Sequence, residues 1–153
     1  MHALELKIPP AVLGAVVVFL MWVASRWGSA FDVPIPGRIS IAACLALLGA
    51  VIASSGILSF RRARTTVNPT KPGAASSLVV SGIYGFTRNP MYLGFASVLL
   101  ALAVFLSNAL ALLLIPMFVA YLNRFQICPE ERALGSRFPE EFAAYKARVR
   151  RWL

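Results

Sequence analysis

From Ile39 to Phe60 the chain carries no Asp, Glu, Lys, Arg or His. A helix needs about 20 apolar residues to cross the hydrocarbon core of a bilayer, and this run supplies them. Three further apolar stretches accompany it: Pro10 to Trp27, and a pair between Met91 and Ile127 divided at Ser107-Asn108. Lipid offers no partner to a backbone amide, so each stretch must satisfy its own polar groups as a helix. The expectation is a single all-α domain, 1–153: a polytopic integral membrane protein with about four transmembrane helices and a C-terminal cytoplasmic helical segment. The spans fall near 10–27, 39–60, 91–106 and 109–127, with a loop at 61–90 and tail helices at 129–152. The last two spans are short and form a tight hairpin, and Pro116 predicts a kink in the second of them. Composition agrees: 59% of residues are apolar and 14% charged, against roughly 45–50% and about 25% in soluble domains. A soluble globule and a disordered chain are both excluded.

Placement of charge gives the topology. The chain has 15 basic and 6 acidic residues, a net of +9. With four spans, every basic residue except Arg26 and Arg38 lies on the side shared by the N-terminal segment, the middle loop and the tail. The positive-inside rule makes that side cytoplasmic. The same placement accounts for the net charge without nucleic acid, since no basic stripe with interleaved stacking aromatics occurs in a soluble module. Gly28-Ser29-Ala30 looks like a leader cleavage site, but Lys7 is offset by Glu5, and Trp22 and Trp27 suit interfacial anchors. The first stretch is therefore read as a retained span.

Other chemistries are excluded by what is missing. Cys44 and Cys128 cannot build a disulfide framework, and with His2 as the single histidine no zinc site is expected. Metalloprotease, P-loop and dinucleotide-binding motifs are absent. A transporter should carry ionisable residues deep in its spans, and none lies between Val12 and Ala24, Ile41 and Ser59, or Tyr92 and Asn123.

Two polar clusters remain. The first runs from Gly82 to Gly94 and contains Tyr84, Arg88, Asn89, Pro90, Met91 and Tyr92. Arg88 can grip a carboxylate or phosphate with a planar fork. Pro90 begins the third helix, whose first-turn amides are free to meet an anion. An ordinary loop entering a membrane helix, with a snorkelling arginine and interfacial aromatics, explains the same residues. The second cluster is Arg124, Gln126, Glu130 and Glu131, delivered to the same side by the fourth span. Its acids can instead serve only the dipole of a helix starting at Pro129. A matching start stands at Pro139-Glu140-Glu141, with Gly135-Ser136 expected to separate the two tail helices. Leu134, Phe138, Phe142, Tyr145, Val149 and Trp152 recur at helical spacing and predict one apolar stripe, packing on the helix bundle or lying at the membrane interface.

Gly82-x-Tyr84-x-x-x-Arg88-Asn89-Pro90-x-Tyr92-x-Gly94, followed by Glu130-Glu131-x-x-Leu134-x-x-x-Phe138-x-x-x-Phe142-x-x-Tyr145-x-x-x-Val149, resembles the isoprenylcysteine carboxyl methyltransferase family, which is related to the membrane phospholipid N-methyltransferases. Thr65-Thr66-Val67-Asn68-Pro69 and Leu78-Val79-Val80-Ser81 resemble its bacterial members, which implies a bacterial inner membrane. The resemblance implies an enzyme that uses S-adenosyl-L-methionine without a Rossmann domain. It implies that Ser76, Ser77, Leu78, Val79, Tyr84, Asn89, Pro90, Met91 and Tyr92 line the cofactor site and that Glu130 contacts the cofactor. Gln126, with Arg124 nearby, falls where the family has an arginine that contacts substrate, and Asn89 stands where the family often has histidine. The implied reaction is methyl transfer to a lipophilic acceptor that reaches the site from the bilayer. The first expectation is the carboxylate of an isoprenylated cysteine-like substrate; the alternatives are a phospholipid amine, or a non-catalytic membrane adaptor. In physical terms Arg88 suits the cofactor's carboxylate, Glu130 its ammonium, and Tyr84 and Tyr92 its adenine or methyl–sulfur centre. A carboxylate acceptor is already ionised at neutral pH, so a site without histidine favours a carboxylate or thiolate over an amine.

Overall fold

The computed structural model describes residues 5–64 and 76–153. Thr65 to Pro69, with Lys71, Pro72 and Gly73 of the middle loop, lie outside the described residues. The described residues form α1 (Pro10–Trp27), α2 (Arg38–Arg62), α3 (Pro90–Leu106), α4 (Ala109–Tyr121), a π-helical turn (Leu122–Ile127), α5 (Cys128–Arg137) and α6 (Pro139–Arg148). Short 3-10 turns occupy Ser29–Phe31 and Gly82–Gly85.

Local chemistry sets the helix ends. Proline stands in the first turn of α1, α3, α5 and α6, where its missing N–H costs nothing. Gly37, at φ 68°, turns the chain into α2. Ser107 closes α3 in the left-handed region at φ 52°. Asn108 then caps α4, its side-chain oxygen accepting from the amides of Leu110 and Ala111. The expected division at Ser107-Asn108 is therefore built from one left-handed residue and one cap.

Among the described residues, three helical runs are long and apolar enough to cross a membrane: Pro10–Trp27, Arg38–Arg62 and Ala109–Arg137. The fourth apolar helix, α3, has 17 residues, about 26 Å at the usual rise, against a core of about 30 Å. Phe19, Trp22, Leu47 and Val51 on α1 and α2 stay exposed. A protein in water would bury such side chains; in lipid they face a solvent as apolar as themselves.

α3 is the centre of the bundle. Tyr92, Leu99 and Ala103 pack with Val17 and Met21 of α1, Ala111 and Phe118 of α4, and Leu122 and Ile127 of the π turn. Its other side lies on α2. A Cβ built on Gly49 would stand 2.7 Å from the Gly94 carbonyl oxygen, and one on Gly94 would stand 2.6 Å from that of Gly49. Small residues let two backbones approach this closely, which favours helix association in lipid.

The two ends of the bundle are distinct. At one end Asn108 donates from Nδ2 to the Gly28 carbonyl at 3.0 Å and to Asp32 Oδ1 at 2.9 Å. The amide of Val33 donates to the Ser107 carbonyl at 2.7 Å. The α1–α2 connection is thereby tied to the α3–α4 turn. At the other end Glu5 pairs with Arg132 at 2.6 Å and Arg124 at 3.4 Å.

Two expected boundaries differ. Pro129 stands in the first turn of α5 as expected, but no break sets that helix apart: α4, the π turn and α5 form one run of 29 residues. Pro129 has no amide to give the carbonyl four residues earlier, and that carbonyl, Phe125 O, instead accepts from the amide of Leu6 at 3.0 Å. The wide turn just ahead of it is closed by the Cys128 amide donating to Asn123 O. The second break falls at Phe138, with φ −131° and ψ 64°, rather than at Gly135-Ser136, which stay inside α5.

Candidate functional site

Tyr92 lies in the first turn of α3, and Glu130 in the first turn of α5. The apolar hairpin between them goes out and returns, so the two side chains meet. Tyr92 Oη donates to Glu130 Oε1 at 2.5 Å. Gln126, only 2% exposed and one turn upstream, donates from Nε2 to the same oxygen at 2.6 Å. Both donors are neutral, so the carboxylate is held by hydrogen bonds and not by an ion pair among these contacts.

Glu131 faces a different set. Arg88 Nη2 donates to its Oε1 at 2.9 Å, and Arg151 reaches it with Nη2 to Oε2 at 2.6 Å and Nε to Oε1 at 3.2 Å. The Arg88 and Glu131 side chains are 10% and 13% exposed, so this pair is sheltered from the screening that weakens surface ion pairs. Arg88 Nη1 also donates to the carbonyls of Val149 at 2.8 Å and Lys146 at 3.3 Å. The fork expected to hold a ligand's carboxylate is thus turned to the chain's own groups. Contact with Glu131 strengthens the hold of Arg151 on its proton, raising its pKa. On another side of Glu131 lies an open cleft of about 820 Å³, also lined by Cys128, Arg132, Phe142 and Lys146.

The remaining expected residues separate into groups. Leu78, Val79 and Tyr84 pack with Phe142, Tyr145 and Val149 of the tail, joined by Leu134 and Phe138; the last residue of the predicted stripe, Trp152, packs instead on the core around Tyr92. Tyr145 Oη donates to the Tyr84 carbonyl at 2.8 Å. Burial pushes the Tyr145 phenol up to about 12. Tyr84 is raised too, first by burial and then by the charges of Tyr145 and Glu130. Pro90 and Met91 sit against Gly56 of α2, at the helix crossing. Asn89 donates from Nδ2 to Arg151 O at 2.9 Å. Ser76 is exposed, and Ser77 Oγ is buried with no partner among the described residues. Arg124 is exposed at the rim on Glu5.

Sequence reasoning did not single out Asn123 or Arg151 as parts of this region; Thr87 fell within the Gly82–Gly94 cluster and Trp152 within the tail stripe, each without a role of its own. Arg151 reads as one more positive charge on the basic side. Asn123 offers one signal, a polar residue at the end of an apolar run; it accepts from Trp152 Nε1 at 3.1 Å.

Among the described residues the donor set suits a ligand's ammonium, since Arg88, the expected partner of an anion, is turned to the chain's own groups. Glu130 offers a buried carboxylate to an ammonium, Ser77 an unpaired buried hydroxyl, and Tyr84 and Tyr92 aromatic faces. No group of three or more His, Cys, Asp or Glu able to hold a metal ion occurs among the described residues.

The family model described as phospholipid methyltransferase matches residues 38–141, from the start of α2 into α6. An uncharacterized protein of Haemophilus influenzae is 46% identical over 63 residues, which cover 41% of this chain and 100% of that protein. No solved structure matches the chain.

Proposed function

The chain belongs to the phospholipid methyltransferase family, and from that premise we propose that it moves a methyl group from S-adenosylmethionine to the amine of a phospholipid headgroup. It is a membrane methyltransferase; the donor and the acceptor are the proposal. The observation that carries it is the placement of Glu130, a carboxylate held by the neutral donors Tyr92 and Gln126 at the end of a hairpin that contacts lipid. Such a carboxylate attracts an ammonium, the charge shared by the methyl donor and an aminophospholipid. The headgroup's phosphate finds exposed Arg124 and Arg132 on the same end of the bundle.

Glu130, Tyr84, Tyr92 and Ser77 would hold the methyl donor. S-adenosylmethionine, when bound, supplies an electrophilic methyl group on sulfur. The chain's own work is alignment and exclusion of water: the Tyr92 and Gln126 donors fix the carboxylate, and the packed Tyr84, Tyr145 and Phe142 close the site from the tail side. The basic end of the bundle would face the cytoplasm. Four crossings are proposed, with α3 as the short one.

A second reading, methyl transfer to an isoprenylated cysteine-like carboxylate, is supported by the absence of histidine at the site among the described residues and by the Gly82–Gly94 and Glu130–Val149 motifs. The test is purified protein with methyl-labelled S-adenosylmethionine, offered phosphatidylethanolamine vesicles or a prenylated cysteine analogue in separate reactions. Label in the phospholipid supports the first reading. Label only in the prenylated analogue replaces it with the second, and label in neither rejects both acceptors.

A further inference from the structure

The residues that follow α6 do not behave as a free tail. Val149 O accepts from Arg88 Nη1 at 2.8 Å, and Arg150 O from the Arg88 amide at 3.1 Å. Arg151 O accepts from Asn89 Nδ2 at 2.9 Å and from Thr87 Oγ1 at 3.3 Å. The Arg151 guanidinium holds both oxygens of Glu131. Trp152 donates to Asn123 and packs on the core around Tyr92. Four consecutive residues therefore lash together the approach to α3, the π turn and the start of α5. These are the three elements that carry Tyr92, Gln126 and Glu130.

We propose that Arg151 is a positioning residue: by clamping Glu131 it sets the rotation of α5 that turns Glu130 toward Tyr92 and Gln126, and so prepares the carboxylate for the methyl donor. Adjacent residues on an α-helix point about 100° apart. Fixing Glu131 toward the strap leaves its neighbour facing away from it, into the hairpin. A two-point grip by a planar guanidinium fixes direction as well as distance. The two acids of one Glu-Glu pair thereby divide their work, Glu131 as the held handle and Glu130 as the presented group. The proposal rests on the reading that Glu130 serves the methyl donor.

The test uses full-length protein in nanodiscs, with Trp22→Phe and Trp27→Phe so that Trp152 alone reports on the strap. The probe is S-adenosylhomocysteine, titrated calorimetrically. Arg151→Gln should weaken its binding tenfold or more and shift Trp152 emission to longer wavelength. Arg151→Lys, which keeps the charge and loses the fork, should bind at intermediate strength. Glu131→Gln, which also releases Arg88, should bind no better than Arg151→Gln, and the double variant should be no worse than Glu131→Gln, because Arg151 acts only through Glu131. Arg148→Gln, exposed and outside the strap, should bind as the parent does. Parent-like binding by Arg151→Gln overturns the proposal, as do additive losses in the double variant or no rescue by lysine. A parent protein that is inserted, with Trp152 shielded, yet takes up no S-adenosylhomocysteine overturns the donor reading itself and the positioning role with it.

Discussion

Gly49 and Gly94 face each other across α2 and α3 so closely that neither has room for a methyl group. Each would bring its Cβ within 2.7 Å of the other's carbonyl oxygen. The obstacle is backbone on both sides, so no side chain can swing away. Gly94→Ala should therefore lower stability by about 1–3 kcal/mol through overpacking, and Gly94→Leu should fail to assemble. Gly14, with nothing within 4 Å of a built Cβ, is the control. Gly14→Ala should be neutral or slightly stabilising, since alanine is the better helix former by about 0.5–1 kcal/mol. Thermal unfolding in a mild detergent reads the difference, and equal midpoints would refute the tight crossing.

Asn108 is fully buried and uses both ends of its amide. Asn108→Ala removes a helix cap worth about 0.5–2 kcal/mol and strands the Asp32 carboxylate. Asn108→Asp keeps the capping oxygen but sets a second carboxylate against Asp32, so it should be worse than alanine and recover when paired with Asp32→Asn. Unfolding midpoints of the four proteins give the order, and failure of Asp32→Asn to rescue would discard the contact.

Glu130 and Glu140 each follow a proline at a helix start, yet only Glu130 is bonded to Tyr92 and Gln126. If each served only a helix dipole, each loss would cost about 0.3–1 kcal/mol of stability. Glu130→Ala should instead reduce S-adenosylhomocysteine binding beyond calorimetric detection while Glu140→Ala leaves it intact. Equal, small effects would return Glu130 to the dipole role.

Asp32 is tied to the α3–α4 turn, and Glu5 to the opposite end at Arg132. In a protein with Cys44 and Cys128 replaced by alanine, Asp32→Cys and Ser136→Cys should react with a membrane-impermeant thiol reagent from opposite faces of the bilayer. Labelling from one face would break the four-crossing arrangement.

The helices were legible because lipid imposes a simple demand. Twenty residues without charge between Ile39 and Phe60 admit few other structures, and the Ser107-Asn108 turn interrupts the next apolar run with two polar side chains. The tail cluster from Leu134 to Val149 was readable as apolar spacing, but not the break at Phe138 that divides it between two helices. Partners were harder. Arg88 announces a fork but not whose carboxylate it holds, and Glu131 lies 43 positions away. Arg151 is lost among six other basic residues from Arg124 onward. The passage through Pro129 was illegible for a related reason: the group that replaces its missing amide, Leu6 N–H, arrives from the far end of the sequence.

The wide turn at Leu122–Ile127 gives the hairpin a phase. A helix indexes its side chains like teeth on a gear, and a turn closed five residues back holds one tooth more than its neighbours. Everything beyond it, Glu130 included, is clocked onto a face that an uninterrupted α-helix would have given to a different residue. The length of the stretch from Asn108 to Gln126 is then as much a determinant of the site as its composition: a single residue deleted there advances Glu130 by about a quarter-turn or more and leaves Tyr92 facing a neighbour, with every residue of the site still present in the sequence.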